Sequence, residues 1–101
     1  MVAGVSYFGD LTPEQEAAQE YNSRRRFNAA LQAQEGFIGG YLLRRPDGRR
    51  VGMTIWESAE LMQRGFMAAN AVPLLPGQDG SLIPGPESSE IWEVLDTMDR
   101  G

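Results

Sequence analysis

Apolar and polar residues alternate along several short stretches of this 101-residue chain, and two longer stretches follow helical spacing. Residues 2–8 are β-branched and aromatic with small residues between them, and a Gly-Asp turn follows, so a first strand is predicted there. Thr12 precedes a proline and then Gln15, which predicts a helix start with a capping box. This helix should run over residues 13–34 and stop at Gly36.

The next stretch predicts a β-hairpin. Residues 37–45 and 49–56 have strand character, and the Pro-Asp-Gly sequence at 46–48 favours a tight turn that makes the two strands antiparallel. The Gly39-Gly40 pair indicates a bulge or a close backbone approach in the first of these strands. Alternation in the second strand places its side chains on two faces, one with Val51, Met53 and Ile55 and the other with Gly52, Thr54 and Trp56.

A second helix and a last strand complete the pattern. Ser58 is a good N-cap, and an apolar stripe follows at helical spacing, made by Met62, Phe66 and Ala69. Residues 71–89 are rich in proline and glycine and are predicted to form a long loop that closes over a site or clasps a partner. Residues 90–98 are predicted to be the last strand.

The predicted element order is β-α-β-β-α-β over one domain, residues 1–101. This order is typical of the ferredoxin-like α+β fold, in which both helices cover one face of a four-stranded antiparallel sheet. The opposite face would then be bare and apolar. We therefore expect a homodimer in which two sheets pack against each other.

Composition narrows the function. The chain has no cysteine and no histidine, which excludes disulfides, thiol nucleophiles and imidazole bases or ligands. The net charge is −5, so neither nucleic acid nor an anionic membrane is an expected partner. Carboxylates are spread along caps and turns, so we expect no metal site. No apolar run is long enough to span a bilayer and no secretory signal is visible, so the expected location is cytoplasmic.

One face of the first helix carries polar candidates for a binding site. Helical spacing places Tyr21, Arg24 and Asn28 on one face with Ala17 and Leu31. If that face packs on the sheet, Arg24 could stabilise a phenolate or carboxylate while Asn28 and Tyr21 supply hydrogen bonds. The alternative is that Arg24 extends to solvent and Asn28 meets a backbone carbonyl.

Trp56 is the strongest single candidate for a ligand contact, because an indole can stack on a planar ring or donate its N–H. The alternative is that it fills the core. The other expected lining residues are aromatic, hydroxyl or thioether side chains, namely Phe27, Tyr41, Thr54, Met62 and Phe66. Met62 and Phe66 have the same alternative interpretation as core residues.

The segment GFIGGYLLRRPDG, followed by VGMTIWES and a helix, resembles the antibiotic biosynthesis monooxygenase family of dimeric α/β barrels. The resemblance implies a pocket in each subunit between the sheet and the helices. Some members oxidise polycyclic phenols with O2 and no cofactor, and others bind and degrade haem through an axial histidine that this chain lacks. Trp56 matches the family's tryptophan, whereas Gly52 and Met62 stand where the oxygenases have polar side chains.

Three hypotheses follow. The first is a cofactor-independent oxygenase of a planar phenolic or polyketide-like molecule, with Trp56, Asn28, Arg24 and Tyr21 as its catalytic residues. The second is a protein that binds a small aromatic molecule in the same pocket without chemistry. The third is a structural homodimer whose cavity is filled by its own Met and Phe side chains. Haem degradation is disfavoured by the absence of histidine.

Overall fold

A computed structural model of the protein describes residues 1–100, whose strands form one antiparallel sheet in the order β2-β3-β1-β4. The strands are β1 (Val2–Tyr7), β2 (Phe37–Arg44), β3 (Arg50–Trp56) and β4 (Ser88–Glu93). With a helix after β1 and another after β3, this is the predicted ferredoxin-like α+β arrangement, which is confirmed.

The first helix begins where its capping box predicts. The Thr12 hydroxyl accepts from the Gln15 backbone N–H, and the Thr12 backbone N–H donates to the Gln15 side chain. The helix is α-helical over Pro13–Asn22, π-helical over Ser23–Phe27 and α-helical again over Asn28–Gln32. A π turn holds more residues than an α turn, so it changes which side chains face the sheet after it.

The second helix spans Ala59–Ala71 and is capped by the Ser58 hydroxyl, which accepts from the Leu61 backbone N–H. After it, the proline- and glycine-rich segment contains a single 3-10 turn, Gly80–Leu82. No helix among residues 1–100 is long and apolar enough to cross a membrane.

The β2-β3 hairpin forms as predicted, with a bulge one residue before the predicted position. Gly48 adopts a φ of +94° in the turn, and the Asp47 carboxylate accepts from the Arg49 backbone N–H. The register shifts between Phe37 and Gly39, so the bulge lies at Ile38, immediately before the predicted glycine pair.

β4 is shorter than the predicted strand over residues 90–98. It begins earlier, at Ser88, and ends at Glu93. Glu93 pairs with Val2, and β1 begins there, so the ladder has no further partner residues and closes with a hydrogen bond from the Val94 N–H to the Met1 carbonyl.

The core lies between the sheet and the two helices, and the opposite face of the sheet is bare. The buried apolar cluster consists of Leu31, Trp56, Met62 and Ala69. We call the opposite surface the outer sheet face, and its exposed large apolar side chains are Tyr7, Tyr41, Leu43 and Trp92. The predicted bare apolar face is thus present.

Candidate functional site

Trp56 is completely buried at the end of β3, at 0% exposure, and its ring faces the helices. Phe37 packs edge-on against it, with ring centroids 5.2 Å apart and an interplanar angle of 81°. Phe66 lies on it at 5.8 Å, and Phe27 touches Phe66 at 6.2 Å. This arrangement of tilted and edge-on rings is the geometry that aromatic pairs favour. It surrounds the indole with apolar, flat surfaces.

Two glycines make room for this packing. A Cβ on Gly65 would collide with the benzo ring of Trp56. A Cβ on Gly4, in β1, would lie 2.6 Å from the Met62 Sδ and 3.3 Å from the Thr54 Oγ1. The absence of a side chain at these two glycines therefore lets the sheet and the second helix approach each other closely.

Three buried polar atoms on one face of β3 have no hydrogen-bond partner among residues 1–100. They are the Trp56 Nε1, the Thr54 Oγ1 and the Arg50 Nε. The residues are spaced by even numbers, so all three side chains point toward the helices. A buried donor without an acceptor costs about 1–3 kcal/mol, and native proteins hold few of them. An acceptor atom brought beside the Trp56 and Thr54 donors would remove that cost.

We call the region between the sheet and the helices that cover it the helix–sheet layer. Its residues are Gly4, Arg50, Thr54, Trp56, Met62, Gly65 and Phe66.

Arg50 supplies a buried charge at the other end of β3. It is 4% exposed, and its Nη2 donates to the Glu16 carboxylate at 2.8 Å and lies 3.6 Å from Glu20. Its Nη1 donates to the Gln19 side chain at 3.1 Å. Two carboxylates thus offset the guanidinium charge, so Arg50 has little attraction left for a further anion.

An open depression of about 170 Å³ leads from the surface to this cluster, and it is lined by Glu20, Leu42, Leu43, Arg44 and Arg50. A second open depression, of about 520 Å³, lies at the hairpin turn between Glu16 and residues 44–48. Neither includes Trp56.

The first helix buries only part of its predicted face, namely Leu31 in the core. Tyr21, Arg24 and Asn28 are exposed, so the expected inward orientation of these three side chains is wrong. The buried positions before the π turn are the polar Gln19 and Asn22. Apolar spacing misses this face because polar partners from distant parts of the chain bury it. Whether Tyr21, Arg24 or Asn28 contacts a ligand stays a prediction.

The expected lining residues divide between the two faces of the sheet. Thr54, Met62, Phe66 and Phe27 meet in or beside the helix–sheet layer, around Trp56. Tyr41 does not, because it pairs with Met53 on the outer sheet face and is 65% exposed. The bulge between Phe37 and Gly39 separates its side chain from the Trp56 face.

The long loop lies against the first helix of its own chain. Arg26 donates through Nε to the Val72 carbonyl at 3.1 Å and to the Pro73 carbonyl at 3.2 Å, and through Nη2 again to Val72. Its Nη1 donates to the Asn22 side-chain oxygen, which also accepts from the Gln78 Nε2, both at 3.1 Å. These hydrogen bonds hold the start of the loop on the π-helical turn.

Sequence reasoning missed Arg50, Gln19, Asn22 and Arg26. Arg50 was detectable, since alternation along β3 assigns it the same face as Thr54 and Trp56. Asn22 and Arg26 are one helical turn apart and bond to each other, but the other partners of these three residues lie far along the chain, and no apolar pattern marks them.

The resolved pKa shifts lie outside the helix–sheet layer. A hydrogen bond to the Glu90 carboxylate, with burial and the charge of Glu90, raises the pKa of Tyr7 on the outer sheet face. Hydrogen bonds from the Ser81 side chain and backbone lower the pKa of Asp79, at the 3-10 turn. Among residues 1–100, no group of three acidic side chains is placed to hold a metal ion.

Solved structures of low sequence identity share this fold. A variant of MhuD, a haem degrader from Mycobacterium tuberculosis, with two manganese protoporphyrin IX molecules per active site, has a TM-score of 0.77 at 20% identity, covering 98% of this chain and 99% of that chain. SnoaB, a cofactor-independent oxygenase from Streptomyces nogalater, has a TM-score of 0.66 at 18% identity, covering 96% and 95%.

The monooxygenase from the gene ActVA-Orf6 of Streptomyces coelicolor, in complex with nanaomycin D, has a TM-score of 0.64 at 16% identity, covering 99% of this chain and 91% of that chain. No protein-family model and no curated protein matches the chain. The expected likeness to antibiotic biosynthesis monooxygenases is therefore confirmed as a likeness of fold.

Proposed function

We propose that this protein binds a planar phenolic molecule in the helix–sheet layer and oxygenates it with O2, without a cofactor. The observation that carries the proposal is the pair of unpaired buried donors, Trp56 Nε1 and Thr54 Oγ1, inside an aromatic surround. A phenolate oxygen is the acceptor that two such donors suit, and an apolar layer strengthens their interaction with it. Oxygenases of the same fold support the reaction class.

The chemistry needs a substrate that serves as its own reductant. An anthrone-type phenol ionises to an electron-rich anion, which passes its electrons to O2. One oxygen atom replaces the two hydrogens of the reacting CH2 carbon as a carbonyl, and the other oxygen leaves with those hydrogens as water. The protein's part is to stabilise the anion at Trp56 and Thr54 and to exclude bulk water.

The other predicted site residues have different roles in the proposed reaction. Phe27 and Phe66 form the walls beside Trp56. Tyr21, Arg24 and Asn28 act only on a ligand that extends past the first helix to the side where they lie exposed.

Haem does not suit these residues. The chain has no histidine to bind the iron, and the second helix offers Phe66, Met67 and Asn70 in its second half. The Trp56 ring and Met62 also lie in tight contact with glycines of the facing elements. Haem is therefore not part of the proposed function.

We further propose that a second copy of the chain covers the outer sheet face. Three of the four strands supply exposed large side chains to this one surface, namely Tyr7, Tyr41, Leu43 and Trp92. An apolar patch of this kind on a small domain indicates an interface. Sedimentation velocity tests this: we expect a dimer, and a Leu43→Glu variant should sediment as a monomer. A monomeric wild type would contradict it.

The complete burial of Trp56 favours a second candidate function, a structural homodimer whose interior binds nothing. In that case the unpaired donors are simply a cost of the fold.

Oxygen uptake with an anthrone, in the presence of a metal chelator, distinguishes the two candidates. The chain has two tryptophans, which provide a matched pair of variants. Trp56→Phe keeps a ring but removes the buried N–H, whereas Trp92→Phe makes the same change on the outer sheet face. We expect uptake above the uncatalysed rate that falls about tenfold or more in Trp56→Phe, and unchanged uptake in Trp92→Phe. No uptake by the wild type would contradict the oxygenase proposal.

A further inference from the structure

Met62 lies beside Gly4 and Thr54, whose hydroxyl is one of the two unpaired donors. It projects from the second helix toward β1 and is 6% exposed. The point where a Gly4 Cβ would stand is 2.6 Å from the Met62 Sδ, 3.7 Å from its Cε and 3.3 Å from the Thr54 Oγ1. The Met62 thioether and the Thr54 hydroxyl thus both border the space above Gly4, and Met62 belongs to the same buried cluster as Trp56.

Gly4 leaves room for the Met62 side chain. Gly4 lies within β1, between β3 and β4, where glycine weakens a strand and usually marks a close approach. Here the approaching group is the flexible end of a methionine. Met62 therefore fills space that the sheet leaves open.

Methionine is suited to fill a space reversibly. It is unbranched, has three rotatable bonds beyond Cα and adapts to irregular gaps. Rotation about these bonds is the movement that would take the Sδ and Cε away from Gly4 and Thr54. A branched residue such as leucine lacks this freedom.

We infer that Met62 is a gating and specificity-determining residue, which leaves its place beside Gly4 and Thr54 when a ligand binds there. The inference rests on the proposed function, since it requires the ligand to bind in the helix–sheet layer. Movement of Met62 frees the space of one side chain beside a closed aromatic cluster. The preferred ligands are therefore phenolic compounds of one or two fused rings. Three-ring compounds such as an anthrone are expected to bind more weakly than these, and a smaller residue at position 62 should strengthen their binding.

Quinone binding tests the inference in a Trp92→Phe background, where Trp56 is the single tryptophan. The probes are 2-hydroxy-1,4-naphthoquinone, with two rings, and 1,8-dihydroxyanthraquinone, with three, because both quench indole fluorescence and neither is consumed by O2. We expect the two-ring probe to bind the parent more tightly. Met62→Ala should strengthen three-ring binding about tenfold relative to two-ring binding, and Met62→Leu should slow two-ring association in stopped-flow measurements.

Met67→Ala is the matched control, because Met67 lies on the same helix but is 74% exposed. It should change neither dissociation constant nor association rate. A shift in ring preference equal to that of Met62→Ala would overturn the inference.

A second measurement observes the native Met62 side chain, so it does not depend on whether a Met62 variant folds. With 13C-methyl-labelled methionine, five methyl signals are expected, one for each methionine. The two-ring probe should move the Met62 signal, which lies near aromatic rings, and leave the Met67 signal in place. Quenching of Trp56 with an unmoved Met62 signal would overturn the gating role while leaving ligand binding intact. Absence of both quenching and oxygen uptake would instead overturn the proposed function, and the inference with it.

Discussion

The benzo ring of Trp56 rests directly on the backbone of Gly65, so closely that no side chain fits between them. This contact sets the distance between β3 and the second helix, and it completes the burial of the indole. Gly65 lies inside the helix, where glycine is a poor helix former. Glycine at this position lowers helix stability but lets the Trp56 ring lie directly under the helix.

Gly65→Ala is therefore expected to destabilise the protein, although alanine favours helix by about 1 kcal/mol. The added methyl group forces the Trp56 ring or the helix to shift, and overpacking of this kind costs about 1–3 kcal/mol. Urea denaturation measures the difference. Gly85→Ala is the control, since a Cβ there meets nothing within 4 Å and its φ is ordinary. Equal stability of the two variants would show that the ring adapts freely.

The Arg50 cluster leads to a prediction about buried charge. Arg50→Met keeps the volume but removes the donor to Gln19, which is itself buried, and leaves Glu16 without its partner. We expect a loss of about 1–3 kcal/mol in the free energy of unfolding. Arg49→Met is the matched neighbour, because its ion pairs with Asp10 and Glu87 are exposed and worth about 0–1 kcal/mol. A larger loss in Arg49→Met would contradict this assignment.

Alternation and turn chemistry predicted the sheet side of the site. Thr54 and Trp56 share a face because strand geometry allows only two faces, and the glycine at 48 takes the turn conformation that its type favours. These are local rules, so a single sequence suffices to apply them. The bare outer sheet face follows from the same alternation.

The helix side of the site was not predictable in the same way. Apolar spacing selected Tyr21, Arg24 and Asn28, whereas the buried positions are Gln19 and Asn22. Their partners, Arg50 and Gln78, are 31 and 56 residues away in the chain. A helix face buried by long-range polar contacts carries no hydrophobic pattern, and the π turn shifts the spacing after it.

Arg26 is expected to control the mobility of the loop after the second helix. Arg26→Lys replaces a planar group that reaches Val72, Pro73 and Asn22 at once with an ammonium that lacks its fork geometry. Amide hydrogen exchange at residues 74–79 should become roughly five- to tenfold faster, as expected for about 1 kcal/mol of lost hydrogen bonding. Arg25→Lys, at an exposed neighbouring position, should leave exchange unchanged. Unaltered exchange in Arg26→Lys would show that other contacts hold the loop.

The hairpin turn is expected to make stability depend on acid pH through Asp47. The backbone N–H of Arg49 and then the Arg45 side chain lower the pKa of this carboxyl below its usual 3.8. Because the folded-state pKa is the lower one, the ionised carboxylate stabilises the fold above about pH 4, and this contribution is lost as the pH falls through the folded-state pKa. Asp47→Asn should thus lower Tm at pH 7. Below the folded-state pKa of Asp47, the Tm of the variant should converge with that of the wild type. Pro46→Ala alters the same turn without a titrating group, so its Tm difference should stay constant with pH; a constant difference for Asp47→Asn as well would refute the electrostatic account.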